Sequence, residues 1–164
     1  MCEATNFKTI PGGVCAPLGF RAAGLHVGVK THAAWKKDVA LIVSETPCAV
    51  AAMFTKNVVQ AAPIHVTKAH IAKGKIRAVI ANSGNANACA PQGEENAEKM
   101  CAAAAKAIGC NPEDVLVAST GVIGQTLKVE VIENGVPELY GLLERSAAAS
   151  DAAAHAIMTT DTVK

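Results

Sequence analysis

One amphipathic helix set between two short apolar runs constrains this chain more than any other feature. Across residues 94–108, apolar side chains fall at Ala97, Met100, Cys101, Ala104, Ala105 and Ile108. That is the i, i+3, i+4 stripe of a helix with one buried face. Glu94 and Glu95 stand in the first turn, where carboxylates favour the helix dipole, and Gly109 follows the end. Residues 76–81 (IRAVIA) and 115–118 (VLVA) are compact runs of strand-forming residues. Strand and helix therefore alternate through the middle of the chain, which predicts a layered α/β architecture.

The remaining elements are read around that centre. Residues 38–45 (DVALIVSE) predict a buried strand, and residues 50–55 and 63–67 are further strand candidates. Residues 68–73 predict a short helix closed by Gly74. Residues 12–29, rich in glycine and containing Pro17, predict extended pieces joined by turns. Asn82-Ser83-Gly84 reads as a turn-forming cluster after the IRAVIA run, and residues 119–124 as a tight loop. Asn111 is the expected N-cap of a single helical turn with Pro112 at its first position. Residues 128–133 predict a short helix stopped at Asn134-Gly135, Pro137 opens another running to Leu143, and residues 147–157 form an Ala-rich third. Without an internal repeat or a low-complexity linker, residues 1–164 read as a single domain.

Composition narrows the function. Hydrophobic residues make up 51% and charged residues 18%, which excludes a disordered tail. A formal net charge of +1 gives no electrostatic reason to bind nucleic acid or an anionic membrane. Aromatics are only 3%, so the core is expected to be thin and to rely on a partner for burial. Six cysteines lie at irregular spacing with no CxxC pair, and the charged start at Glu3 and Lys8 has no apolar run. Reduced thiols in a cytoplasmic protein are expected, with no zinc site and no metal. No segment is apolar and long enough for a membrane span.

Three stretches gather small polar residues directly after regular elements. Asn82-Ser83-Gly84-Asn85-Ala86-Asn87-Ala88 could hold a polar ligand, but asparagines more often satisfy turn backbone. Ala118-Ser119-Thr120-Gly121-Val122-Ile123-Gly124 offers hydroxyls and backbone N–H groups that suit an oxyanion, or merely a turn before a helix. It is neither a P-loop nor a nucleophile elbow. Met158-Thr159-Thr160-Asp161-Thr162 could bind an amino acid, or be a fraying helix end. His26, His32, His65, His70 and His155 show no metal or triad spacing and read as core or surface residues. Lys36-Lys37-Asp38 reads as a solvated edge to the strand that follows.

Seven stretches in order resemble the ornithine acetyltransferase family. They are Gly19-Phe-Arg-Ala-Ala-Gly24, Lys37-Asp-Val-Ala-Leu-Ile-Val43, Phe54-Thr55 with Asn57-Val58, Ala61-Ala-Pro63, Asn82 through Cys89, Ala118 through Gly124, and Ala156 through Thr162. The resemblance implies the first half of a layered sheet-and-helix sandwich of the self-cleaving ornithine acetyltransferase type. It implies glutamate N-acetyltransferase activity in arginine biosynthesis: an acetyl group passes from N-acetylornithine to glutamate, and some members also accept acetyl-CoA. No cofactor is implied. The family precursor cuts itself into an α and a β chain, and the β chain's N-terminal threonine is the nucleophile. By this resemblance Thr120 and Gly121 form the oxyanion hole and Thr159 binds substrate. The partner is a β chain in an αβ heterotetramer.

The departures from the family pattern carry expectations of their own. The family's α chain continues into a Lys-Gly-x-Gly-Met motif that this sequence lacks, and Lys164 is not its lysine. The chain is therefore expected to be an α portion truncated before the cleavage site, without the nucleophile and inactive alone. Cys89-Ala90-Pro91 also replaces the family's Cys-Thr-Gly, which affects how the asparagine stretch exits. The alternatives are a related self-cleaving amidase or aminopeptidase, and a non-catalytic truncated chain.

Overall fold

Residues 38–45, expected as a strand, lie inside a four-stranded sheet around which the other elements are laid. The computed structural model describes residues 8–33 and 35–163. Cys2, Glu3 and Lys164 of the sequence reading lie outside the described residues. The strands are β1 (Phe20–Leu25), β2 (Val39–Cys48), β3 (Ile76–Asn85) and β4 (Val115–Val122), in the spatial order β1-β2-β3-β4. The first two pairings are antiparallel. β3 and β4 are parallel, and the long amphipathic helix connects them.

The helices are α1 (Ala62–Ile71), α2 (Gly93–Ile108), α3 (Val129–Gly141) and α4 (Ala147–Ile157). Side chains alternate across a strand, so β2 serves two layers. Val39, Leu41 and Val43 join Ile80, Met100, Ile132 and Leu139 in the larger core, under α2 and α3. Ala40, with Ala22, meets Ala153 and Ala156 of α4 on the opposite face. Small residues let α4 come close there. A Cβ on Gly24 of β1 would sit 2.1 Å from the Ala152 carbonyl oxygen.

The α2 stripe is buried as its spacing requires, with Ile108 packed at the margin. Gly109 takes the left-handed conformation and its N–H closes on the Ala105 carbonyl at 2.8 Å. The hydroxyl of Ser146 accepts the Ala149 N–H at 3.0 Å and starts α4. A single 3-10 turn at Pro112–Asp114 follows α2 as expected, with the Asp114 carboxylate accepting the Asn111 N–H.

Several local expectations fail for physical reasons. Residues 50–55 form no strand; Ala51, Ala52 and Met53 are exposed and no neighbouring strand pairs them. Residues 63–67 are helical and belong to one helix with residues 68–71. Pro63 suits a first turn, and Pro63, Val66 and His70 are buried at helical spacing. Asn82-Ser83-Gly84 is not a turn, because β3 runs through it to Asn85 beside β4. Residues 119–122 likewise stay in β4. Asn134-Gly135 does not stop α3: a Cβ on Gly135 would lie 2.3 Å from Val27 Cγ1, so glycine there admits Val27. Pro137 sits inside α3 on its exposed side. The exit of the asparagine stretch turns through left-handed backbone at Asn87, Cys89 and Gln92 before α2 begins. Among the described residues no helix is long and apolar enough to cross a membrane.

Candidate functional site

The parallel pairing of β3 with β4 sets Ser83 opposite Thr120 and Gly84 opposite Gly121. Gly121 has φ +134°, and a Cβ there would lie 2.3 Å from the Gly84 carbonyl carbon. Only glycine permits this approach of two backbones. Thr120, one residue earlier, is exposed.

On its outer side β4 is sealed by α1 at its start. The hydroxyl of Thr67 in α1 donates to the Val117 carbonyl at 2.7 Å and accepts the Val117 N–H at 3.1 Å. His70 Nδ1 lies 2.7 Å from the Val115 carbonyl. The Ser119 hydroxyl oxygen is buried with no hydrogen-bond partner among the described residues.

The three asparagines each bond backbone groups. Asn82 donates to the Asn85 carbonyl, Asn85 donates to the Gln125 carbonyl and accepts the Asn87 N–H, and Asn87 donates to the Gly93 carbonyl. They fasten the end of β3 to the segment after β4 and to the start of α2. Their amide N–H groups thus serve backbone carbonyls, while the Oδ1 atoms of Asn82 and Asn87 are buried without a hydrogen-bond partner among the described residues. Ser83, fully buried, donates from its hydroxyl to the Ala156 carbonyl near the end of α4.

A second layer comes from the loop between β1 and β2. Asp38, expected at a solvated edge, is fully buried. Its carboxylate accepts the N–H groups of Val27 at 2.7 Å, Gly28 at 3.1 Å and Lys30 at 3.0 Å. His26 Nδ1 lies 3.0 Å away. The loop folds back over the strand start, and the carboxylate answers N–H groups that would otherwise lack partners. Lys30 reaches from this loop and donates to the Lys37 carbonyl at 2.9 Å and the Met158 carbonyl at 2.6 Å. Burial pushes its pKa down; Asp38 and Asp161 pull it back up, while Lys36 adds to the lowering. After α4 the chain turns at Thr159, whose N–H donates to the Asp161 carboxylate at 2.9 Å.

These parts meet. A cavity of about 790 Å³ is lined by Thr120 and Gly121 from β4 and by Thr159 and Thr160 from beyond α4. The two motifs lie on separate elements, and the fold brings them to one hollow. Lys30, His32, Lys36 and Gln125 share the lining. The reading from sequence did not select those four, and a lysine or glutamine in a loop has no spacing that marks it. A smaller cavity of about 360 Å³ adjoins, sharing Lys36 and Thr159 and adding Trp35 and His155. Hydroxyls, a lysine-bearing rim and an apolar wall suit a small zwitterionic or amide substrate.

The model of the ArgJ family matches residues 21–164. The Arginine biosynthesis bifunctional protein ArgJ of Symbiobacterium thermophilum is 47% identical over 154 residues, 93% of this chain and 38% of that protein. Its namesake from Bacillus cereus is 44% identical over 98% of this chain and 39% of its own length. The chain thus spans well under half the length of these curated relatives. Two crystal structures share the fold with a TM-score of 0.86 each. One is the Arginine biosynthesis bifunctional protein of Bacillus halodurans, 44% identical, matched over 93% of this chain and 78% of that one. The other is an ornithine acetyltransferase complexed with ornithine from Mycobacterium tuberculosis, 41% identical, matched over 93% and 81%.

Proposed function

The chain belongs to the ArgJ family, and on that premise we propose that it contributes the oxyanion-binding part of an acetyltransferase site in arginine biosynthesis. The reaction moves an acetyl group from N-acetylornithine to glutamate, with acetyl-CoA as a possible second donor and no cofactor. One observation carries the reading: Thr120, Gly121 and Thr159, from distant parts of the sequence, line a single cavity.

The chemistry assigns each a task. The nucleophile is a threonine hydroxyl on a β chain, activated by its own α-amino group. Its oxygen attacks the acetyl carbonyl carbon, and the carbonyl oxygen becomes an oxyanion. Backbone direction alternates along a strand, so the Gly121 N–H turns to the same outer edge as that of Val117. Thr67, the threonine of α1, is engaged by Val117, and the Gly121 N–H is assigned to the oxyanion. The Thr120 hydroxyl makes no hydrogen bond within the described residues and supplies the second donor. The intermediate collapses with loss of the ornithine amine, which takes the proton held by the α-amino group. The glutamate amine then attacks the acetyl-threonine and regenerates the hydroxyl. Thr159, across the cavity, binds the amino-acid end; the crystallised relative with ornithine supports a ligand of that class. The active assembly is an αβ heterotetramer in the cytoplasm, where the free thiols of Cys15, Cys48, Cys89, Cys101 and Cys110 stay reduced.

The test is Thr120→Ala in the complete αβ enzyme. An exposed hydroxyl without partners leaves folding intact when removed. Loss of one oxyanion donor should lower kcat by about 10²–10³-fold with little change in KM. An unchanged kcat would remove Thr120 from the oxyanion hole. Hydrolysis of an N-terminal peptide without transfer to glutamate would move the protein to the amidase alternative.

A further inference from the structure

We propose that Lys30 is the positioning residue that holds the two halves of this site together. The inference rests on the acetyltransferase reading and adds to it a residue that touches neither the oxyanion nor the nucleophile. One half of the site is Thr120-Gly121, fixed to Gly84 by the close backbone contact in the sheet. The other half is the turn at Thr159, which follows α4 and is otherwise held locally by Asp161. Lys30 lies between them.

Its stem crosses directly over Gly84, where a Cβ would come within 2.8 Å of Lys30 Cγ. Its ammonium ends on the carbonyl of Met158, the residue before Thr159. Gly84 therefore serves two contacts: its backbone lets Gly121 approach, and its missing side chain lets the lysine pass. The base of the lysine is fixed as firmly as its tip. Asp38, fully buried, holds the Lys30 N–H together with those of Val27 and Gly28, and the Lys37 carbonyl takes a second ammonium proton. A lysine anchored at both ends sets the distance between sheet and turn. Two of its three ammonium protons go to carbonyls, which gives it a positioning task.

The test uses the complete αβ enzyme and two readouts: steady-state kinetics, and calorimetric titration with ornithine, which requires no chemistry. Lys30→Met keeps the stem and removes the donors. A hydrogen bond from a charged donor is lost, so ornithine binding and the KM for N-acetylornithine should weaken by about tenfold or more. The kcat should change far less, because the oxyanion hole is built on β4. Lys30→Arg, which restores a cationic donor of similar reach, should recover most of the affinity. If Lys30→Met does not assemble, Lys30→Gln, which keeps a donor but falls short of Met158, is read in the same way. Equal ornithine affinity in wild type and variant overturns the positioning role and leaves the acetyltransferase reading standing. A wild-type enzyme that binds no ornithine and transfers no acetyl group overturns both.

Discussion

Asp38 satisfies three backbone N–H groups with two oxygens, so its removal strands all three. Asp38→Ala should destabilise the protein by about 2–4 kcal/mol, read from urea unfolding, because partly buried donors lose their acceptor. Asp38→Asn, which keeps one acceptor oxygen, should lose less. The sequence reading put this residue at a solvated edge because two lysines precede it. Burial here depends on a loop that begins at His26, well upstream, and folds back, which no local pattern reports. Cys101 was legible, since it falls on the apolar stripe of α2. Burial pushes its thiol from an ordinary 9.0 up to about 12. Above pH 9 the unfolded chain releases a proton that the folded chain keeps. The stability contribution is therefore complete below pH 9 and is lost as pH rises toward 12. Urea midpoints across that window should fall more steeply for the native protein than for Cys101→Ala. At about pH 8, iodoacetamide should label exposed Cys89 and spare Cys101, as peptide mapping would show.

Glycines set the spacing between elements, and their effect differs from place to place. Gly24 lets α4 lie against β1, with the Ala152 carbonyl where a side chain would be. Gly24→Ala must push the helix away or tilt it, and a loss of about 1–3 kcal/mol is expected from overpacking. Gly141 ends α3 with open space around it and an ordinary helical backbone. Gly141→Ala should be neutral or stabilise by up to about 0.5 kcal/mol. Thermal unfolding of the pair distinguishes a packing glycine from an idle one. The helices α2 and α4 could be read from sequence because stripe, acidic first turn and closing glycine agree for one, and an alanine run marks the other. α1 could be read only in its second part, since residues 63–67 hold Val66 and Thr67 and resemble a strand by propensity. Its tertiary role decides the matter: Thr67 and His70 must reach the outer edge of β4, and helical spacing brings both there. The Asn-Ser-Gly and Ser-Thr-Gly stretches misled in the opposite direction. Turn-forming residues stay extended because each is the other's strand partner across the β3–β4 pairing. The candidate site was thus visible as motifs and invisible as a place, since only register and the exit of α4 unite them.

At the scale of the molecule, the connection between β2 and α1 carries three exposed large apolar side chains within seven residues. Met53 is 98% exposed, Val58 99% and Val59 66%, while Phe54 in the same connection is half-buried with the Lys68 ammonium 5.1 Å from its ring. Isolated exposed apolar residues need no explanation, but a run of them on irregular backbone does. The curated relatives are more than twice as long as the stretch matched here, and the proposed function requires further polypeptide to bring the nucleophile. The composition already predicted reliance on a partner for burial. We therefore expect this connection to be covered in the assembled enzyme. Thermolysin cleaves before apolar residues on exposed, extended backbone, so the chain by itself should be cut within residues 51–59 first. Assembly with the β partner should slow that cut by at least about tenfold, since a covered segment is cleaved only from its open population. Mass mapping of the first fragments reads the site directly. If cleavage at Met53 and Val58 proceeds equally fast in the assembled enzyme, the segment faces solvent there too, and the partner must gain its burial elsewhere, with the open outer edge of β4 beyond Val117 the next surface to probe.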